Sequence, residues 1–322
     1  MKAAVYRRYG PPDVVQVEDV PRPIPGPNDI LIRVRATTVS SADWRMRSLS
    51  VPRGFGLLSR LAFGLSAPRQ QILGGELAGD VVSVGAEVRN VAIGDAVIAV
   101  PGIKLGAHAE YCCIKADGRV VKKPERLSYR EASALAFGGS TALDFFRRAG
   151  LREGERVLIN GGSGTVGSAM LQIAVARGAE ATAVCSAANR ECMQQLGATR
   201  VVDYASTDFA SEGVRYDVIV DTVGNAPYAR VHEALTEGGR LLLVLATLPQ
   251  MLHAPWVELT TKHRVYVGPA AERLDDLNTL VAMAATGQYT PLIDCCLPLD
   301  LVAAAHARVE SGRKRGSVVL EL

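Results

Sequence analysis

Residues 157–174 read VLINGGSGTVGSAMLQIA: an apolar run, glycines spaced G-x-G-x-x-G, and then a helical pattern. The run predicts a buried β-strand at 156–160, and the residues from Thr165 predict a helix opening at the end of the glycine loop. Gly162, Gly164 and Gly167 then have separate tasks: a tight turn, close approach of backbone to a pyrophosphate, and close packing of helix on strand. Ser163, Thr165 and Val166 complete a loop whose N–H groups and helix dipole would receive phosphates. A glycine-rich turn is the plainer alternative, but strand, motif, helix and second strand occur here in the order a dinucleotide site requires.

Working outward, strands and helices alternate. Helix-like SYREASALAFGGSTALDFFRRAG precedes the motif; strand EATAVC, helix NRECMQQLG, strand TRVVDY, strand YDVIVDTVG, helix APYARVHEALTEG and strands GRLLLVLA and HRVYVG follow it. This rhythm predicts an α/β domain over 125–270 with a six-stranded, doubly wound parallel sheet of the Rossmann kind. Residues 1–124 read differently. Short β-type runs such as DILIRVRAT, AGDVVSVG and AEYCCIK, punctuated by PRPIPGPND and NVAIGD, predict a partly closed antiparallel β-barrel. The segment 271–322, with a helix at 273–286 and strands near 293–298 and 317–321, is too small to stand alone and is expected to complete that first domain. The apolar stretch GFGLLSRLAFGL at 54–65 suits either a substrate-side lid or a packed loop.

The second strand decides the dinucleotide. An NAD site usually carries Asp or Glu at its end, gripping the ribose diol. Here no acid appears from Ala181 to Arg190; Ser186, Asn189 and Arg190 stand there instead. Small donors beside a cation suit a 2′-phosphate, so NADPH is the expected cofactor.

At 322 residues, with 48% hydrophobic and 21% charged residues, the chain has the balance of a two-domain globular protein. A net charge of +3 without a clustered basic stripe gives no reason to expect nucleic acid. The six cysteines form no C-x-x-C and read as small buried hydrophobes of a reducing compartment. MKAAVYRRYG lacks the apolar core of a signal peptide, and no run is long enough to span a membrane. The expected setting is cytoplasmic.

Taken in order, MKAAVYRRYGPPDVVQVEDV, ILGGELAGDVVSVGAEVRNVAIGDAV, STALDFF, VLINGGSGTVGSAMLQIA, LGATRVVDY and YDVIVDTVG resemble the medium-chain dehydrogenase/reductase superfamily across essentially the whole chain. The zinc-independent quinone oxidoreductase branch, which includes zeta-crystallin, is the most similar. The resemblance implies a GroES-like catalytic domain, a Rossmann NADPH-binding domain and a homodimer. It also implies that Asn189 and Tyr204 hold the 2′-phosphate, with Ser186 and Arg190 beside them, and that Thr141 lies beside the nicotinamide. Trp44 is expected to wall the substrate pocket.

Zinc-dependent relatives place a cysteine, a histidine and a third ligand where this sequence has Ser40, Gly75 and ALAFGGSTALD, none of them a usual zinc ligand. The four-cysteine structural zinc loop is absent too, so no metal is expected. Most zinc-free relatives carry asparagine at the Ser40 position; Ser40 is either a substrate or ribose contact or a plain strand-end serine. Without zinc to stabilise an alkoxide, the favoured acceptors are small molecules that spread incoming charge, quinones and α,β-unsaturated carbonyls. No catalytic acid is evident. The alternatives are a dedicated enoyl or alkenal reductase and a non-catalytic NADPH-binding protein.

Overall fold

The apolar run VLI is inaccessible because the strand Arg156–Asn160 has a parallel neighbour on each side, Glu180–Cys185 and Tyr216–Asp221. In the computed structural model, which describes residues 1–322, these belong to a six-stranded sheet. Its order is Arg200–Asp203, Glu180–Cys185, Arg156–Asn160, Tyr216–Asp221, Leu235–Leu243, Arg264–Tyr266, and every pairing is parallel. Numbered along the chain this is 3-2-1-4-5-6, the Rossmann order, with the strand of the glycine motif at the topological switch point. The chain divides into two compact units, and the sheet lies in the one formed by Pro52–Phe55 and Gly138–Glu272.

The other unit comprises Met1–Val51, Gly56–Phe137 and Arg273–Leu322. Its organising element is the long strand Asp29–Val39. Leu77–Val84 pairs along one edge; the other edge is shared by Tyr111–Lys115 and Ser317–Glu321, all antiparallel. One strand serving three neighbours curls the sheet, and register shifts after Leu31 and Val34 mark the bend. The C-terminal segment Arg273–Leu322 belongs to this unit. Ile293–Pro298 adds a parallel edge strand to Ser317–Glu321, and Val302–Glu310 covers the core of Tyr6, Val39, Leu73 and Val318.

Several sequence expectations shift. The crossover lies at Phe137/Gly138, not after residue 124, because Tyr129–Ser133 packs on the strands Asp29–Val39 and Leu77–Val84 of the first unit. The helix expected in APYARVHEALTEG shrinks to Tyr228–Val231 plus a 3-10 turn, because LTEG is drawn into the next strand. Three helices were not anticipated: Ser41–Ser48, Leu248–Thr260 and Val302–Glu310. The stretch 54–65 contains the helix Gly56–Phe63, which turns Leu57, Leu58 and Leu61 to solvent and buries Ser59, so its leucines are not those of a packed loop. No helix is long and apolar enough to cross a membrane.

Candidate functional site

The glycine loop is built from backbone contacts that leave no room for side chains. Gly161, not singled out from the sequence, takes the tight turn at φ +83°. A Cβ on Gly167 would stand 2.1 Å from the Gly161 carbonyl oxygen, and one on Gly162 would stand 2.9 Å from Cβ of Ala183. Gly162 therefore serves strand packing and Gly161 the turn, a reassignment of the task expected of Gly162. Gly164 differs: its Cβ would meet only the Gly161 carbonyl at 3.5 Å, an ordinary contact. The protein thus leaves open the side of Gly164, the N-cap of helix Thr165–Ala176, where Ser163, Thr165 and Val166 also lie. A helix N-terminus with a bare glycine at its cap suits a phosphate, so the loop fits a dinucleotide.

A second support was missed from the sequence. Asp221, at the end of its strand and inaccessible to solvent, accepts the N–H groups of Val223, Gly224 and Ala226 at 2.8–3.0 Å and the Asn160 amide at 3.0 Å. Asn160 also donates to Asn225, and Thr222 donates to the Asn160 carbonyl, so the loop after Asp221 is tied to the strand that leads into the glycines. An aspartate ending a buried apolar strand, three residues before Gly224, was the available signal. Asp221→Ala is expected to lower unfolding free energy by about 2 kcal/mol, since four donors lose their acceptor; denaturant titration checks it.

The residues expected around a 2′-phosphate come together through strand pairing. Cys185 lies opposite Asp203, which sets Ser186 and Tyr204, the next residue of each strand, side by side. The Asn189 amide donates to Ser186 Oγ at 3.2 Å, and Arg190 opens the following helix with Nη1 on the Val201 carbonyl at 3.1 Å. Tyr204 is 66% exposed, its phenol turned outward and not packed. Two acids stand nearby: Asp203, whose Oδ1 accepts the Ala205 N–H in the turn, and Glu191, next to Arg190, whose Oε1 accepts the Gln195 side-chain amide.

In the other unit, Ser40 is the N-cap of Ser41–Ser48. Its Oγ donates to Asp43 Oδ2 at 2.6 Å and accepts the Asp43 N–H, a capping box that S-x-x-D at 40–43 announces. Its hydroxyl proton is therefore held by Asp43, which also accepts the Gly74 N–H at 2.9 Å. Trp44 packs against the cluster around Tyr6 and Val39, with the Arg45 guanidinium over its ring and a buried indole N–H that meets no acceptor. Thr141 sits half-buried on the helix Ala136–Ala149, in the part of it that belongs to the nucleotide unit.

The positions at which zinc enzymes carry ligands offer a poor donor set. A Cβ on Gly75 would meet nothing within 4 Å, and Ser40 is committed to its cap. No group of three or more His, Cys, Asp or Glu side chains is gathered to hold a metal ion. These residues do not fit a zinc tetrahedron. Glu76, 3% exposed, accepts the Ala136 and Phe137 N–H groups at 3.0 and 2.7 Å through Oε2, and the Thr38 hydroxyl through Oε1. No cation pairs with it. Burial raises its carboxyl to about 7 although the three donors pull the other way.

His108 donates its Nε2–H to the Thr38 carbonyl at 2.8 Å, and its ring lies edge-on to His306, 6.0 Å away. His306 is inaccessible and neither ring nitrogen has a partner. Burial first, then His108 and Arg47, hold it well below its ordinary value of 6.5. Below that pH the unfolded chain takes up a proton that the folded one refuses, so the native state loses stability as pH falls. The stability of His306→Leu relative to the parent should therefore rise by about 1.4 kcal/mol per pH unit below about 6.5. Glu76 acts oppositely: its folded value lies above 4.5, so its contribution falls as pH rises from about 4.5 to about 7. Urea titrations across pH 4.5–7 separate the two.

Comparison with known proteins agrees with this architecture. Residues 26–125 match the family described as alcohol dehydrogenase GroES-like domain, and 196–320 the one described as zinc-binding dehydrogenase. The 2-methylene-furan-3-one reductase of Solanum lycopersicum is 30% identical over 99% of this chain and 79% of its own length. The chloroplast envelope quinone oxidoreductase homolog of Arabidopsis thaliana is 27% identical over 100% of this chain and 98% of its own. Among solved structures, the quinone oxidoreductase from Coxiella burnetii superposes with a TM-score of 0.89 at 28% identity, covering 100% of this chain and 99% of that one. A GroES-like unit, a Rossmann unit in 3-2-1-4-5-6 order and relatives matched along their length have one common explanation: the chain belongs to the medium-chain dehydrogenase/reductase superfamily, in its quinone oxidoreductase branch.

Proposed function

We propose that the protein is a zinc-independent, NADPH-dependent reductase that passes hydride to quinones or α,β-unsaturated carbonyls. The observation that carries the reading is the rim beside the glycine loop. Ser186, Asn189, Arg190 and Tyr204 gather at the ends of two paired strands, and no acid ends the second strand. The two acids beside the rim already accept hydrogen bonds, Asp203 from the Ala205 N–H and Glu191 from the Gln195 amide. A dianionic 2′-phosphate is well received by a guanidinium and neutral donors, whereas a ribose diol lacks its usual carboxylate partner. NADPH, when bound, supplies a hydride from its nicotinamide ring. The glycine loop and the helix Thr165–Ala176 hold the pyrophosphate, and Thr141 lies beside the nicotinamide.

The acceptor class follows from what the side chains offer. With glycine and a capped serine at the would-be ligand positions, an alkoxide lacks the several kcal/mol that a metal supplies. A quinone becomes an aromatic hydroquinone and an enone becomes an enolate, so both spread the incoming charge without one. Water supplies the proton, no side chain being placed for it. Two relatives carry names of these two kinds, a quinone oxidoreductase homolog and a furanone reductase. Steady-state oxidation of NADPH with a quinone panel and an enone panel tests the reading and ranks the two. Turnover restricted to enones would mark a dedicated alkene reductase. Tight NADPH binding with no turnover on either panel would sink the catalytic reading in favour of a nucleotide-binding protein.

A further inference from the structure

Glu76 stands next to the position where a zinc enzyme has its histidine, yet it is fully engaged. The helix it contacts, Ala136–Ala149, begins after Leu135, which has no polar side chain to satisfy the first N–H groups. Glu76 supplies that cap from 60 residues away, with the Ala136 and Phe137 N–H groups converging on its single oxygen Oε2. Thr38, in the strand Asp29–Val39, holds the other oxygen and so fixes the carboxylate plane.

That helix is one of the segments by which the chain passes from one unit to the other: Ala136 and Phe137 belong to the first and Gly138–Glu272 to the second. Immediately after the capped residues, Gly138 lies against the start of the nucleotide helix. A Cβ there would be 2.6 Å from the Thr165 carbonyl oxygen. One turn further on is Thr141. The cap, the close approach to the phosphate-side helix and the nicotinamide-side threonine thus follow one another within six residues of one rigid element, 136–141.

We propose that Glu76 is a positioning residue for hydride transfer, acting through the capped helix to hold Thr141 and the start of the nucleotide helix in register. The role rests on the NADPH-reductase reading given above. A buried carboxylate without a cation is costly to keep, and its placement is accounted for by the two N–H groups it orients. A displacement of about 1 Å at a reacting centre costs about a hundredfold in rate, so losing the cap is felt as turnover more than as binding.

The test compares Glu76→Ala, Glu76→Gln, Thr141→Ala and Glu76→Ala/Thr141→Ala, with p-benzoquinone and NADPH or its 4-deuterated form. Glu76→Ala is expected to lower kcat by about 30-fold and raise the primary isotope effect, with the acceptor KM within threefold. Glu76→Gln is expected to recover kcat to within threefold, because one amide oxygen can still accept both N–H groups while Thr38 turns to accept from the amide. In the double variant, kcat should fall no further than in the worse single variant, since a displaced helix has already withdrawn Thr141. Independently of catalysis, amide exchange at 136–141 in the nucleotide-free protein should quicken at least tenfold in Glu76→Ala and not in Glu76→Gln.

A folded Glu76→Ala with parental kcat, or losses that simply multiply in the double variant, overturns the role. If Glu76→Ala does not fold, Glu76→Asp, which draws the oxygens back by one methylene, is judged by the same criteria. A parent protein inert toward both acceptor panels removes the reductase reading and this role with it, while the exchange result still reports on the cap; quickened exchange with unchanged turnover removes this role alone.

Discussion

Arg190→Ala/Tyr204→Phe is expected to bind NADPH about 10- to 100-fold more weakly than the parent, with NADH affinity moved less than threefold. Fluorescence titration of both nucleotides measures it. The guanidinium already gives Nη1 to the Val201 carbonyl, which pins the side chain and leaves its remaining N–H groups for an anion. A charge-assisted hydrogen bond contributes about 1.5–3 kcal/mol, reduced here by exposure, and each 1.4 kcal/mol is a tenfold change in affinity. Tyr204 is turned to solvent without a hydrogen-bonding partner for its phenol, so its removal disturbs no packing and reports on the ligand. Equal losses for the two nucleotides would show that the rim does not read the 2′ position.

Gly167→Val and Gly164→Ala should fail in different ways. At position 167 the new Cβ would lie 2.1 Å from the Gly161 carbonyl oxygen and 2.9 Å from the Gly162 Cα. Both are backbone atoms of the strand-to-helix turn and cannot rotate aside, so strand and helix must separate. A loss of about 4 kcal/mol or more in unfolding free energy is expected, with NADPH binding abolished. At position 164 the added methyl meets only an ordinary contact at 3.5 Å, so stability should stay within about 0.5 kcal/mol. The methyl nevertheless occupies the open side where a phosphate approaches, and affinity for NADPH should fall at least tenfold. Denaturant midpoints and nucleotide titrations of the two variants separate folding from binding. A Gly164→Ala protein with parental affinity would show that the pyrophosphate does not approach that face.

Legibility followed the range of the interactions. VLIN and YDVIVD are apolar runs that can be satisfied only inside a parallel sheet, and G-x-G-x-x-G after such a run leaves few alternatives. The helix Ser41–Ser48 was legible in principle from S-x-x-D but was hidden by its shortness and by a composition in which Ala42, Trp44 and Met46 alternate with polar and basic residues. The helix at APYARVHEALTEG failed for the opposite reason. Its local pattern is helical, yet pairing with Tyr216–Asp221 draws the strand back to Leu235, opposite Tyr216. Ser40 illustrates the same limit at the site: its residue type suits a ligand contact, but Asp43 three residues on takes its proton.

By itself the sequence determined the two architectures, the glycine motif between a buried strand and a helix, and the lack of an acid from Ala181 to Arg190. These are matters of residue type and short spacing, which periodicity and side-chain chemistry express directly. Only the tertiary structure decided that Gly161 makes the turn assigned to Gly162, that Asp221 ties the neighbouring loop, and that Glu76 is satisfied by Ala136 and Phe137. The Glu76 cap and the Asn160–Asp221 bond bring groups within about 3 Å from positions 61 residues apart, and a buried charge reveals its partner only when the chain has folded around it.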